Sequence, residues 1–127
     1  MTRTPDIPDS KDAFSSLPLA PAQLGNLTRL GYLAMTPVQA ASLPAALAGH
    51  DLIVQARTGS GKTAAFALAL LATLDQSNNA VQALVLCPTR ELADQVADNI
   101  RGYAAHSKLR VAVAFGRATS TISGSCR

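Results

Sequence analysis

The stretch Asp51-Leu52-Ile53-Val54-Gln55-Ala56-Arg57-Thr58-Gly59-Ser60-Gly61-Lys62-Thr63-Ala64-Ala65-Phe66 decides how this chain is read. Residues 51–56 are a short apolar run that stops at a glycine-containing loop, which predicts a buried strand. Residues 62–74 contain no breaker and are mostly Ala and Leu, both strong helix formers, so a helix is expected there. A strand, a tight loop and a helix in that order bring backbone amides to one point. Gly59 and Gly61 lack a Cβ, so the chain can wrap closely there at positive φ. The amides of residues 59–63 are then expected to converge at the positive end of the helix dipole, an arrangement that holds phosphate.

Each loop residue has an expected role. Lys62 is expected to reach the β- and γ-phosphates of ATP as a mobile point charge. Thr63 is expected to place its hydroxyl on a Mg²⁺ that keeps most other ligands as water. Ala56, Arg57, Thr58, Gly59, Ser60 and Gly61 form the wall of the cradle, with Ala56 standing where the general pattern has Gly. The competing reading is a glycine-rich turn with a surface lysine. The strand before the loop and the helix after it favour phosphate binding.

Further strands and helices extend from this centre in both directions. Upstream, Leu24, Leu27 and Leu30 recur at helical spacing behind Pro21, a residue suited to a first helical position, and Gly31 is placed to end that helix. Pro37 opens a second helix to about residue 47, in which Pro44 predicts a kink or an early end and Gly49 closes the segment. Downstream, residues 83–87 form an apolar strand cut off by Pro88. Residues 91–103 read as a helix with Leu92, Val96 and Ile100 four apart, and residues 109–115 are a third strand candidate. Alternating strands and helices with short connections predict an α/β fold, a parallel sheet of about three strands flanked by helices. Both chemistry-bearing loops, after Ala56 and after Cys87, then leave the carboxyl ends of strands, where such sheets place their ligands.

Composition limits the alternatives. The 127 residues fit one domain, with 48% hydrophobic and 15% charged residues, as in a folded soluble chain. A net charge of +3 permits contact with a polyanion without arguing for it, because the basic residues are scattered. Cys87 and Cys126 have no metal or disulfide spacing, which favours a reducing compartment. Residues 1–12 are polar with two prolines and read as a flexible leader, not a secretory signal. No apolar stretch reaches bilayer length, so a cytoplasmic location without membrane contact is expected. His50 and His106 fall in expected loops with no ligand set nearby and read as surface histidines.

Three segments together narrow the reading. The loop carries Thr58-Gly59-Ser60-Gly61-Lys62-Thr63, followed by Pro88-Thr89-Arg90-Glu91-Leu92-Ala93 with Gln95 close behind. Upstream stands Gly31-Tyr32-Leu33-Ala34-Met35-Thr36-Pro37-Val38-Gln39, with Phe14 ahead of it. This set and order resemble the first RecA-like domain of DEAD-box ATP-dependent RNA helicases, nearest to the family's bacterial DbpA-like branch, over about residues 13–112. The resemblance implies a partial RecA-like P-loop domain over residues 13–115. It also implies that Gln39 hydrogen-bonds the adenine edge and that Phe14 stacks on the base. The alternatives for that pair are a helix-capping amide and a core aromatic. Pro88, Thr89 and Arg90 match the segment that grips the RNA sugar-phosphate backbone, ribosomal RNA by resemblance. Read locally, they are a helix start with Arg90 paired to Glu91 or Asp94.

Parts of the family pattern do not occur in these 127 residues. There is no Asp-Glu-Ala-Asp segment, no Ser-Ala-Thr motif and no second RecA-like domain, the missing partner in the full-length relatives. The expectation is therefore ATP binding without efficient hydrolysis. Residues 116–127 are rich in Ser, Thr and Gly and read as an irregular tail, a fragment boundary or a frameshifted region. The alternatives to a helicase piece are a short non-catalytic nucleotide- or RNA-binding module, and a different phosphate-loop enzyme such as a small-molecule kinase.

Overall fold

A computed structural model describes residues 12–116. Most of the expected leader (1–12) and tail (116–127) thus lies outside the described residues, as does Cys126.

Helix α1 spans Pro21–Arg29, with Pro21 at the first helical position. Leu30 caps its end, and Gly31 follows at φ +86°, a left-handed turn that glycine adopts without strain. Leu27 is buried and Leu24 packs partly against the core, whereas Leu30 is exposed. Helix α2 spans Pro37–Leu47 behind a capping box: the Thr36 hydroxyl accepts from the Gln39 N–H while the Gln39 side chain accepts from the Thr36 N–H. Pro44 lies inside α2 and does not end it. Only one further turn follows, and Leu43, fully buried, holds that part of the helix against its neighbour despite the lost hydrogen bond.

Helix α3, Lys62–Thr73, is the centre of the packing. It buries Ala64, Ala65, Ala67, Leu68, Ala69 and Leu71, small side chains that let α2 on one side and helix α4 on the other approach closely. Helix α4, Arg90–Tyr103, buries Val96, Ala97, Ile100 and Tyr103, close to the expected stripe, while Leu92 remains partly exposed. Its Thr89 cap accepts from the Leu92 N–H at 3.2 Å. Two buried amides on α1 complete the assembly. Gln23 donates to the Leu68 carbonyl at 3.1 Å, and Asn26 donates to the Gly102 and Tyr103 carbonyls, each at 3.0 Å, so α1 caps the end of α4.

The parallel sheet is not formed among the described residues. They contain no strand, only an isolated antiparallel bridge between Ala13 and Ala34. The three expected strand segments are non-helical but lack the inter-segment backbone hydrogen bonds that define a ladder. Two of them do reach the core: Cys87 of the second and Leu109 and Val111 of the third pack partly against it. Elsewhere they are open, with Ile53 97%, Leu84 78% and Leu86 83% exposed. Apolar patterning therefore marks these segments for burial, but a sheet needs paired neighbours, and the four helices alone do not supply them.

Candidate functional site

The loop between residue 56 and α3 has the backbone that the sequence requires. Gly59 and Gly61 sit at φ +80° and +90°, and Gly61 is the N-cap of α3 in the left-handed region. The Ser60 N–H closes a turn on the Arg57 carbonyl at 3.2 Å. The amides of Gly59, Gly61, Lys62 and Thr63 have no backbone acceptor among the described residues. They form a group of donors at the positive end of α3. The Lys62 ammonium folds back and donates to the Ala56 carbonyl. Lys62 and Thr63 are half-buried, and Arg57, Thr58 and Gly59 are exposed.

Two carbonyls of the loop, those of Ser60 and Gly61, are held by the segment that opens α2. The Thr36 hydroxyl donates to the Ser60 carbonyl at 2.8 Å, and the Gln39 side-chain amide donates to the Gly61 carbonyl at 3.2 Å. The Gly61 carbonyl also accepts the first helical bond of α3, from the Ala65 N–H at 3.1 Å. Two of its carbonyls are thus tied to the start of α2, while the amides of Gly59, Gly61, Lys62 and Thr63 have no backbone acceptor among the described residues. A side chain at residue 61 has no room: a Cβ there would lie 2.5 Å from the Gln39 amide nitrogen and 3.0 Å from the Thr36 hydroxyl.

Gln39 and Phe14 are placed close to this junction but buried. Gln39 is 2% exposed, and its oxygen accepts from the Thr36 N–H at 2.9 Å, so it is a capping amide as well as a tether. Its second Nε2 hydrogen and second oxygen lone pair are uncommitted. Phe14 belongs to the core cluster. The turn that carries it, Phe14–Ser16, is strapped to the same segment by the Ala13–Ala34 bridge and by the Met35 N–H donating to the Asp12 carbonyl at 2.7 Å. The structure thus joins residues 13–14, 34–39 and 56–63 into one unit.

Residues 88–90 form a separate place at the start of α4. The Thr89 hydroxyl oxygen accepts the helix-cap bond from the Leu92 N–H. Arg90 does not pair with Glu91 or Asp94; the one ion pair among the described residues is Arg101 with Asp98. Instead the Arg90 guanidinium carbon lies over the Phe115 ring, 4.5 Å from its centroid. His50 is exposed, as expected, but His106 is half-buried and its Nδ1 has no partner. Among the described residues no cluster of three His, Cys, Asp or Glu side chains could hold a metal, and no helix is long and apolar enough to cross a membrane.

Two residues of this geometry were not singled out by sequence reasoning. Thr36 has a local signal all the same, because Thr-x-x-Gln is a capping-box signature. Phe115 had no local signal, because its role depends on a residue 25 positions away.

The profile of DEAD/DEAH box helicases matches residues 36–124, a span that includes the tethering segment, the loop and the start of α4. The chain belongs to this family. Its relatives include the ATP-dependent RNA helicase DbpA of Escherichia coli K12, 70% identical over 90 residues, which cover 70% of this chain and 20% of the relative. The DEAD-box ATP-dependent RNA helicase 52A of rice is 42% identical over 127 aligned residues, covering 87% of this chain and 21% of that protein. The chain therefore spans about a fifth of the length of the curated relatives it matches. Among solved structures, a DEAD box protein from Methanococcus jannaschii superposes with a TM-score of 0.73 at 36% identity, covering 87% of this chain and 30% of that one. Dbp5 of Saccharomyces cerevisiae bound to RNA and ADP BeF3 superposes at 0.70 and 31% identity, covering 78% and 26%. The DEAD-box arrangement of helices is thus present even where the strand ladders are not.

Proposed function

We propose that this chain is an ATP-binding portion of an RNA helicase, which holds nucleotide at residues 56–63 and touches RNA backbone at Pro88, Thr89 and Arg90. The observation that carries the reading is the tie between Gln39 and Gly61. It fixes the Gly61 carbonyl and leaves the amides of Gly59, Gly61, Lys62 and Thr63 available to a triphosphate. The residues fit that ligand: the amides are without acceptors, the Ser60 hydroxyl is buried without a partner, and glycine is required where Gln39 approaches.

In this reading Lys62 leaves the Ala56 carbonyl for the β- and γ-phosphates, since a phosphate is a far stronger acceptor for an ammonium than a neutral carbonyl. The Thr63 hydroxyl, in the first turn of α3, would contribute to holding Mg²⁺, which would neutralise phosphate charge when bound. Gln39 would meet the adenine edge with its uncommitted hydrogen and lone pair, and Phe14 would lie against the base from its strapped turn. Both are buried as described here, so nucleotide binding has to open this junction. Binding without efficient turnover is the expected behaviour, because the sequence holds no carboxylate motif to activate a water.

The test is equilibrium binding of a fluorescent adenine nucleotide to the 127-residue chain. Lys62→Ala is expected to weaken binding by about ten- to a hundredfold, the scale of a charge-assisted bond. ATP should displace the probe better than GTP. Unchanged affinity in the variant would refute the phosphate site, and vigorous RNA-stimulated hydrolysis would refute binding without turnover.

A further inference from the structure

We propose that Phe115 is a positioning residue for Arg90, holding the guanidinium so that its N–H edges face a phosphate of single-stranded RNA. This rests on the reading of residues 88–90 as a backbone contact. The placement of the two side chains supports it. Arg90 is the first residue of α4, where a positive charge opposes the helix dipole and does nothing for helix stability. Neither Glu91 nor Asp94 neutralises it. Its partner is a ring at the far end of the extended segment that follows α4.

An aromatic ring is a particular kind of partner for a guanidinium. A carboxylate consumes the in-plane donors, whereas a ring engages a face of the cation and leaves its rim of N–H groups free. Arginine otherwise loses much rotamer freedom when it captures a phosphate. A side chain already resting on a ring has lost part of that freedom in advance. Phe115 is itself 47% exposed, so burial does not account for an aromatic at this position. The pair forms a preset donor fork beside the Thr89 cap, suited to a sugar-phosphate backbone and indifferent to base identity.

The experiment measures binding of a labelled oligouridylate to the full chain, across a series of salt concentrations, with a non-hydrolysable ATP analogue present. Arg90→Ala is expected to weaken binding and to lower the salt slope by about one phosphate contact. Phe115→Leu should weaken RNA binding about two- to fivefold, the scale of an exposed cation–π contact, and leave nucleotide affinity unchanged. Phe115→Trp should restore it. In the Arg90→Ala background, Phe115→Leu should change nothing. RNA affinity that depends on Arg90 but not on Phe115, or equal losses from Phe115→Leu in both backgrounds, overturns the positioning role alone. Absence of RNA binding by the unsubstituted chain overturns it together with the reading on which it rests.

Discussion

The side-chain amide of Gln39 donates to the carbonyl of Gly61 at 3.2 Å, joining the first turn of α2 to the N-cap of α3. Gln39 also completes the capping box of its own helix through the Thr36 N–H. One buried amide therefore takes part both in the cap that opens α2 and in the tether on the loop before α3.

Gly61→Ala tests how tightly that junction is packed. A left-handed backbone costs a non-glycine residue about 1–2 kcal/mol, and the added methyl would collide with the Gln39 amide. The expected outcome is a Tm lowered by roughly 5–15 °C together with weakened nucleotide binding. Adding Gln39→Ala should relieve the steric part, so the double variant loses less than the sum of the singles. Strict additivity in thermal denaturation would show that the two residues do not meet.

Asn26 offers a test remote from the site. Its amide donates to the last carbonyls of α4, and its oxygen accepts from Arg29 at 2.7 Å. Asn26→Asp keeps the shape but removes the donor and sets a negative charge against the negative end of α4. A loss of about 1–3 kcal/mol is expected, read by denaturant titration, with the nucleotide site of any remaining folded protein unaffected.

Tyr103 gives the fold an alkaline limit. Burial raises its hydroxyl above the ordinary value of 10.0, and the bond to the Tyr32 hydroxyl at 3.2 Å adds to the shift. The folded chain thus favours the neutral phenol. Stability from this source is complete below pH 10.0 and declines as the pH rises beyond it, because only the unfolded chain ionises freely there. Tyr103→Phe should flatten the alkaline fall in Tm; an unchanged fall would place the cause elsewhere.

Ile53, Leu84 and Leu86 predict self-association. Their segments combine exposed apolar side chains with unpaired backbone, the features of an edge that recruits another chain. Sedimentation velocity should show mass increasing with protein concentration. Ile53→Lys with Leu86→Lys should shift the distribution toward monomer. A concentration-independent monomer in the unsubstituted chain would contradict this.

How legible was this protein? The helices were largely readable, because their signals are local. Pro21 and Gly31 bound α1, the capping-box residues and Pro37 open α2, and the Val96–Ile100 spacing sets the buried face of α4. The positive φ of the two glycines of the loop was readable for the same reason, since a tight turn before a helix imposes its demands on neighbouring residues. Pro44 misled only in part: its local rule predicts a kink or an early end, and the burial of Leu43 overrides the latter.

The sequence by itself determined which residues can form helices and where the glycine turn before α3 falls, since backbone geometry depends on a few adjacent side chains. The tertiary structure alone decided the rest. It set Gln39 against Gly61, Asn26 beneath the end of α4 and Phe115 under Arg90, contacts that span 22 to 77 positions and have no local signature. It also decided that three apolar segments form no ladder among the described residues, because a β-ladder belongs to a set of neighbours and not to any one stretch of chain.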